Sequence, residues 1–125
     1  MIDVAAGLLK QNGKILLCKR PQHKSRGGKW EFPGGKLESG ETAADAICRD
    51  LQEELNILVS VSGVAGDVMW IYPDVSIHLT LIYCTITGGF LTLREHEALV
   101  WVTKEEALSL DLAEADRKLV ETISF

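Results

Sequence analysis

The chain has 125 residues, which is the length of one ordinary domain and enough to bury a hydrophobic core. Its hydrophobic content of 46% and charged content of 25% exclude disordered, collagen-like and disulfide-rich scaffold proteins. No apolar run approaches the roughly 18 residues of a membrane span, and the apolar stretch 4–9 is too short for a signal peptide. Three widely spaced cysteines among apolar neighbours indicate core residues in a reducing compartment. We therefore expect a single cytoplasmic domain over residues 1–125, with no membrane partner.

The net charge of −5 comes from one segment of the chain. Residues 31–57 contain seven acidic and two basic residues, whereas the rest contains eleven of each sign. This acidic excess disfavours a nucleic-acid polymer as a partner, because its phosphates would be repelled. A small phosphorylated substrate remains compatible with the acidic excess when a metal ion lies between the carboxylates and the phosphates. The segment is therefore either a solvated helix face or a cation site.

In chain order, the first elements are two apolar strands. The runs 4–9 and 15–18 flank the turn sequence Gln11-Asn12-Gly13 and predict a β-hairpin buried on both faces. Residues 21–30 carry proline and glycine in polar surroundings and predict a loop, and residues 32–35 predict a turn.

A helix is predicted from Thr42 to Leu55, where the chain contains neither glycine nor proline. Thr42 is the expected N-cap, with Asp45 three residues later completing a capping box. Four apolar residues share one face at intervals of three and four: Ala44, Ile47, Leu51 and Leu55.

The second half of the chain is rich in β-branched residues. Residues 57–72 predict one long strand or a bent strand pair, with interruptions at Gly63 and Gly66. Residues 75–87 and 98–102 predict further strands, and the segments 104–110 and 115–123 predict two closing helices. This order of elements is typical of an α/β domain whose mixed sheet is covered on both faces.

Three carboxylates on the predicted helix form the main candidate site. Asp50, Glu53 and Glu54 lie on one face, roughly 115° away from the apolar stripe. Such acids raise each other's proton affinity, so a bound cation favours their ionised form. Oxygen ligands favour Mg²⁺, with Mn²⁺ as a substitute, and the chain has no cysteine and histidine set suited to zinc. Taken alone, the three acids would more often be solvated surface.

The surrounding sequence adds a specific pattern. From Gly35 to Ile57 it reads Gly-x5-Glu-x7-Arg-Asp-Leu-x-Glu-Glu-x-Asn-Ile. This closely resembles the Nudix signature, Gly-x5-Glu-x7-Arg-Glu-U-x-Glu-Glu-x-Gly-U, in which U is a bulky aliphatic residue. Asp50 replaces a glutamate, which keeps the charge but shortens the reach by one methylene. Asn56 replaces the final glycine, and asparagine tolerates the left-handed conformation needed there.

The resemblance extends beyond the signature. Segments 30–36, 72–74, 95–102 and 112–116 are similar to MutT-type members, including oxidised-dGTP diphosphatases and CTP pyrophosphohydrolases. It implies a Nudix-type α/β/α sandwich with a mixed β-sheet. It also implies hydrolysis of nucleoside triphosphates to monophosphate and pyrophosphate with one to three Mg²⁺ ions, in nucleotide-pool sanitising and DNA repair.

Several metal-binding roles follow from the resemblance. Glu53 and Glu54 match the principal metal-binding pair, and the carbonyl of Gly35 is a further ligand. Asp50 and Glu95 are each expected to bind metal or to act as the base for the attacking water. The alternatives are exposed acids and an ordinary turn glycine.

Other residues are expected to hold the site or the substrate. Glu41 and Arg49 are predicted to form a structural ion pair that fixes the loop to the helix. Arg20, Lys36 and Arg26 are candidates for phosphate contacts, with solvated charge as the alternative.

The base of the nucleotide has its own candidates. Phe32 and Tyr72 are expected either to stack on the base or to belong to the core. Asp116 is expected to set base preference, because a carboxylate accepts hydrogen bonds from amino groups such as that of cytosine. Its alternative role is the N-cap of the last helix. The three histidines are predicted to lie in surface or loop positions and not to be ligands.

Two other functions remain open. One is a Nudix hydrolase of another nucleoside-diphosphate derivative, and the other is a nucleotide-binding module with a weakened site. The partner in every case is a small nucleotide, and the protein is expected to be a monomer or a homodimer.

Overall fold

The protein is described by a computed structural model over residues 1–124. Within these residues the strands are β1 (Ile2–Gln11), β2 (Lys14–Lys19), β3 (Trp30–Glu31), β4 (Gly34–Lys36), β5 (Ile57–Ile71), β6 (Ser76–Gly89) and β7 (Ala98–Val102). The helices are α1 (Ala43–Leu55), α2 (Lys104–Leu108) and α3 (Glu114–Thr122). Of the helices in these residues, none is long and apolar enough to cross a membrane.

The sheet is mixed, as predicted. β1 runs parallel to β6, from Ile2 opposite Ile77 to Leu9 opposite Cys84, and antiparallel to β4. The predicted hairpin is present, because β1 pairs with β2 through Lys10 and Ile15. β2 also pairs with β3 and β7, and β5 pairs with the outer side of β6.

The sheet carries helices on both faces because successive residues of β1 point to opposite sides. Ala5 and Leu9 pack in one apolar cluster with α1, whereas Ala6 and Leu8 pack in a second cluster with α3. The buried runs of β1 and β2 therefore serve two cores, and the α/β/α arrangement is confirmed. This arrangement fixes α1 beside β4, where the candidate acids lie.

The predicted helix is confirmed, and its ends are well defined. Thr42 and Asp45 form the expected capping box. Asn56 closes the helix in the left-handed conformation, with φ 59° and ψ 35°.

Of the two alternatives for residues 57–72, the single long strand is the correct one, whereas two other local expectations were wrong. β5 is one continuous strand, because the chain absorbs Gly63 and Gly66 through shifts in its pairing with β6 and does not break there. α2 ends at Leu108, two residues earlier than predicted. The N-cap of α3 is Ala113, without a side-chain hydrogen bond, so Asp116 is not the cap of this helix.

Candidate active site

A cleft of about 630 Å³ brings together residues from distant parts of the chain. Its lining includes all of the predicted site residues except Arg49 and Glu41. Its acidic lining consists mainly of Asp50, Glu53, Glu54 and Glu95. Phe32, Tyr72 and Asp116 also line it, together with the apolar side chains of Ala6 and Leu79 and others. The cleft therefore combines a carboxylate cluster with apolar and basic side chains.

Gly35 and Asp50 are in close contact because β4 lies against α1. A Cβ atom on Gly35 would stand 2.9 Å from Asp50 Oδ2. Asp50 Oδ1 accepts a hydrogen bond from Arg49 Nη1 at 2.9 Å, but the buried Oδ2 has no hydrogen-bond partner among residues 1–124. An unpaired buried carboxylate oxygen beside a backbone that has no side chain is suited to a bound cation.

The two inner acids are costly to ionise. Burial, reinforced by the charges of Asp50, Glu95 and Glu31, raises the pKa of Glu54 to about 8. Burial also raises the pKa of Asp50 to about 6, although the neighbouring Arg49 opposes the change. A divalent cation would offset this cost, since it favours the ionised carboxylates.

The three helix acids are not equivalent, although the sequence predicted one common face. The side chains of Asp50 and Glu54 are 8% and 10% exposed, whereas that of Glu53 is 61% exposed. Within residues 1–124, no group of three or more histidine, cysteine or acidic side chains is already arranged as a metal site. The chemistry of these oxygen donors fits a hard cation.

Arg49 connects the loop before α1 to the helix acids. Its guanidinium binds both carboxylate oxygens of Glu41, at 2.7 and 2.8 Å. It also contacts Asp50 at 2.9 Å, Glu53 at 3.3 Å and the backbone carbonyl of Lys36 at 3.3 Å. The hydrogen bonds from Arg49 keep the pKa of Glu41 low, at about 2. These contacts support the predicted structural role of the pair, because they join β4, the loop and α1.

Glu31 and His96 form a second polar connection, which the sequence did not predict. His96 Nε2 lies 3.1 Å from Glu31 Oε2, and its Nδ1 lies 3.9 Å from Glu54 Oε1. Glu31 also pairs with Arg20 at 3.1 Å. The prediction that every histidine lies at the surface or in a loop was therefore incomplete: His96 is in a loop, but its side chain is only 4% exposed because it packs between these acids. The position of His96 directly after Glu95 was the available signal.

Asp116 is buried where α3 meets the segment between β3 and β4. Its Oδ2 accepts a hydrogen bond from the backbone N–H of Phe32 at 3.0 Å. Burial, and then the charge of Glu31, raises the pKa of Asp116 well above its usual range. The carboxyl group can therefore be protonated, and in that form it donates a hydrogen bond as well as accepting one.

The aromatic candidates are part of the core and also line the cleft. Phe32 is 2% exposed and Tyr72 is 5% exposed. The hydroxyl of Tyr72 accepts a hydrogen bond from the backbone N–H of Ala115 at 3.0 Å. The guanidinium of Arg26 lies 4.1 Å from the centre of the Tyr72 ring and pairs with Asp74. A base that stacked on this ring face would have to displace Arg26, which the sequence had suggested for phosphate contact.

Known proteins share both the sequence and the fold of this chain. Residues 4–122 match the family model described as the NUDIX domain. The chain belongs to the Nudix family. It is 40% identical over 121 residues to the CTP pyrophosphohydrolase of Escherichia coli K12, covering 97% of this chain and 90% of that protein. It is 33% identical over 117 residues to the putative 8-oxo-dGTP diphosphatase 2 of Mycobacterium tuberculosis H37Rv, covering 91% and 82%. The crystal structure of a MutT protein from Methanosarcina mazei Go1 superposes with a TM-score of 0.87 at 25% identity, covering 96% and 90%.

Membership of the Nudix family confirms the resemblance and the fold class expected from the sequence. It also confirms that the protein is a hydrolase of phosphorus anhydrides, and Nudix hydrolases generally use divalent metals and small nucleotide substrates. This Nudix protein keeps the acids Glu53 and Glu54 of the signature but carries Asp50 and Asn56 at two of its positions.

Proposed function

We propose that this Nudix hydrolase uses Mg²⁺ to convert nucleoside triphosphates into nucleoside monophosphates and pyrophosphate, and thereby removes damaged or unwanted nucleotides from the pool. The observation that carries the proposal is the single cleft that joins the acids of α1 to the buried carboxyl group of Asp116. A nucleotide has the matching pair of ends, a charged phosphate chain and a base with polar edges. The relatives named for CTP and for 8-oxo-dGTP support this class of substrate.

The proposed metal site consists of Glu53, Glu54, Asp50 and the carbonyl of Gly35. Oxygen ligands of this kind favour Mg²⁺, and Mn²⁺ is the expected substitute. When bound, the metal would neutralise phosphate charge and make the attacking water more acidic. Glu95 lines the cleft close enough to Glu54 for its charge to raise the pKa of Glu54.

This chain's residues have two further tasks in the reaction. Either Asp50 or Glu95 accepts a proton from the attacking water, since both carboxylates line the cleft. Arg20 and Lys36 also line the cleft and supply positive charge for the phosphate chain. Arg20 is already ordered by Glu31 and by the backbone carbonyl of Ser25, at 2.8 Å.

Asp116 is proposed to read the base. In its ionised form it accepts a hydrogen bond from an exocyclic amino group, and in its protonated form it also donates to a carbonyl oxygen. The raised pKa of Asp116 makes both forms available, so the earlier expectation that the carboxylate only accepts is too narrow. Cytidine and oxidised guanine nucleotides are therefore both candidate substrates, and nucleic-acid polymers are not proposed.

The test measures pyrophosphate release with Mg²⁺ from CTP, dCTP, 5-substituted dCTP, dGTP, 8-oxo-dGTP and dATP, with ADP-ribose as a substrate of another type. Glu54→Gln should abolish turnover while the fold is retained, because the amide cannot replace the anionic ligand. Glu121→Gln is the matched control, since Glu121 is exposed on α3 and does not line the cleft. Undiminished activity of Glu54→Gln would refute the scheme. Metal-dependent nucleotide binding without any turnover would favour a binding module.

Asp116→Asn tests the base-reading role. We expect a change of about 10- to 100-fold in the ratio of kcat/KM values for cytidine and guanine substrates, the size of one altered hydrogen bond to a charged group. A uniform change of kcat/KM for every base would contradict the base-reading role, but it would not contradict the proposed hydrolysis of nucleoside triphosphates.

A further inference from the structure

Asn56 stands where the Nudix signature has glycine, at the end of α1. Its backbone lies in the left-handed region, with φ 59° and ψ 35°, which asparagine and glycine both adopt at helix ends. Its backbone N–H bonds to the carbonyls of Gln52 and Leu51 and so closes the helix. Glycine would serve equally well for the backbone, so any special role of Asn56 has to come from its side chain.

Both polar atoms of the Asn56 side chain are occupied by one loop, residues 90–97, which lies between β6 and β7. Asn56 Nδ2 donates to the backbone carbonyl of Phe90 at 3.2 Å. Asn56 Oδ1 accepts from Arg94 Nη2 at 2.9 Å. A glycine at this position would lose both contacts.

The same loop is also held by the carbonyl groups at the end of α1. Arg94 Nη1 donates to the carbonyl of Gln52 at 3.3 Å, and the N–H of Arg94 donates to that of Glu54 at 3.2 Å. The N–H of Thr92 donates to the carbonyl of Leu55 at 2.9 Å. The last carbonyls of a helix have no partners within it, and a positive charge is favourable at this end. The donors of loop 90–97 thus supply hydrogen bonds to carbonyl groups at the end of α1.

This docking bears on the cleft because Glu95 is the next residue after Arg94. Glu95 lines the cleft, and its charge is among the causes that raise the pKa of Glu54. The side chain of Glu95 is exposed, and neither a hydrogen bond nor an ion pair to it is found in residues 1–124. Its position is therefore set by the backbone of the loop that carries it.

We propose that Asn56 is a positioning residue, whose side chain clamps loop 90–97 to the end of α1 and so sets the place of Glu95 in the cleft. This rests on the proposed function, in which Glu95 binds the metal or accepts the proton. The departure from the signature glycine is then a gain of two contacts rather than a weakness of the site.

The decisive variant is Asn56→Gly, which restores the signature residue and keeps the backbone conformation. We expect its melting temperature to stay close to that of the wild type and its kcat to fall on the order of 10- to 100-fold, as misplacement of a catalytic group does. KM should change little, because the substrate contacts remain. Asn56→Asp keeps the oxygen that accepts from Arg94 and should recover part of the loss.

Asn12→Gly is the matched control. Asn12 is exposed in the turn between β1 and β2, also in the left-handed conformation, with φ 53°. It makes the same chemical change far from the cleft and should leave kcat unaltered. Equal kcat values for Asn56→Gly and Asn12→Gly would overturn the proposal.

A double mutant shows whether Asn56 acts through Glu95. Glu95→Gln should itself lower kcat, and Asn56→Gly should then add little to that loss. A full additional loss in the Glu95→Gln background, or a fully active Glu95→Gln, would overturn the proposal. If Glu54→Gln is inactive, the proposed hydrolysis of nucleotides stands after either of these two outcomes, and only the role of Asn56 is refuted.

Hydrogen exchange gives a readout that does not depend on activity. Amides of loop 90–97 should exchange faster in Asn56→Gly than in Asn12→Gly, without added metal or nucleotide. Unchanged exchange would refute the clamp. If the wild type hydrolyses no nucleotide, the proposed function fails together with the role of Glu95, whereas the exchange data still decide whether Asn56 holds the loop.

Discussion

The contact between Gly35 and Asp50 makes Gly35→Ala a sharp test of the site. The backbone of Gly35 is not in the left-handed region, so alanine brings no conformational strain. Its Cβ would lie 2.9 Å from Asp50 Oδ2 and 3.3 Å from Asp50 Cγ. Ordinary contact begins at 3.4 Å, so the carboxylate oxygen has to retreat by 3.4 − 2.9 = 0.5 Å.

The retreat of Asp50 is opposed by its surroundings. Its other oxygen is bonded to Arg49 at 2.9 Å, and its side chain is only 8% exposed. Misplacement by about 1 Å can cost on the order of 100-fold in rate, so half that displacement corresponds to about 10-fold. We therefore expect kcat/KM of Gly35→Ala to fall about 10-fold, which is about 1.4 kcal/mol of transition-state stabilisation.

The assay is pyrophosphate release at saturating Mg²⁺, paired with thermal unfolding. Gly88→Ala is the control, because Gly88 has an ordinary backbone conformation and its Cβ would meet Leu58 at 3.4 Å, a normal contact distance. Full activity of a folded Gly35→Ala protein would refute the idea that the place of Asp50 beside Gly35 matters to the reaction. A similar loss of activity in Gly88→Ala would show that the effect comes from a disturbed sheet and not from the contact between Gly35 and Asp50.

Three further predictions concern the stability of the fold. Leu51→Ala should lower the free energy of unfolding by about 2–5 kcal/mol, because the side chain of Leu51 is fully buried on the face of α1 that packs against the sheet. A loss of less than about 1 kcal/mol in urea unfolding would contradict this packing. Arg49→Lys should lower the melting temperature, because a lysine cannot reproduce the two-oxygen contact with Glu41, and an unchanged value would show that the ion pair adds nothing. The hydrogen bond to Asp67 raises the pKa of His78 above 6.5. The stabilisation of the fold by protonated His78 is therefore complete below pH 6.5, and it is lost as the pH rises through the raised pKa of the folded protein. His78→Asn should flatten that part of the pH dependence of unfolding, and an unaltered curve would exclude His78 as its source.

Local patterns made α1 and its neighbours predictable. The capping box, the apolar stripe and the left-handed Asn56 depend on residues within a few positions of one another. The mixed sheet followed from the order of the elements. The sequence left open whether residues 57–72 form one strand or a bent pair. β6 decides this by supplying pairing partners through the register shifts, and a single sequence does not contain that information.

Contacts between distant segments could not be predicted in the same way. His96 binds Glu31, which is 65 residues away, and Asp116 accepts from Phe32, which is 84 residues away. The family resemblance placed Glu95 and Asp116 in the site, but it gave no information on which side chains hold them there.

The departures from the signature illustrate the limit of reading a motif alone. Judged from the motif alone, Asp50 shortens the reach of one acid, and Asn56 only preserves the backbone conformation of the glycine that it replaces. In the fold, the shorter Asp50 is buried against Gly35, and Asn56 bonds to a loop that begins 34 residues later. Each substitution has therefore to be judged against its spatial neighbours. The effect of asparagine at position 56 depends on the groups that loop 90–97 offers to its side chain, and these are not part of the motif. This is why the comparison of Asn56→Gly with Asn12→Gly is more informative than the motif.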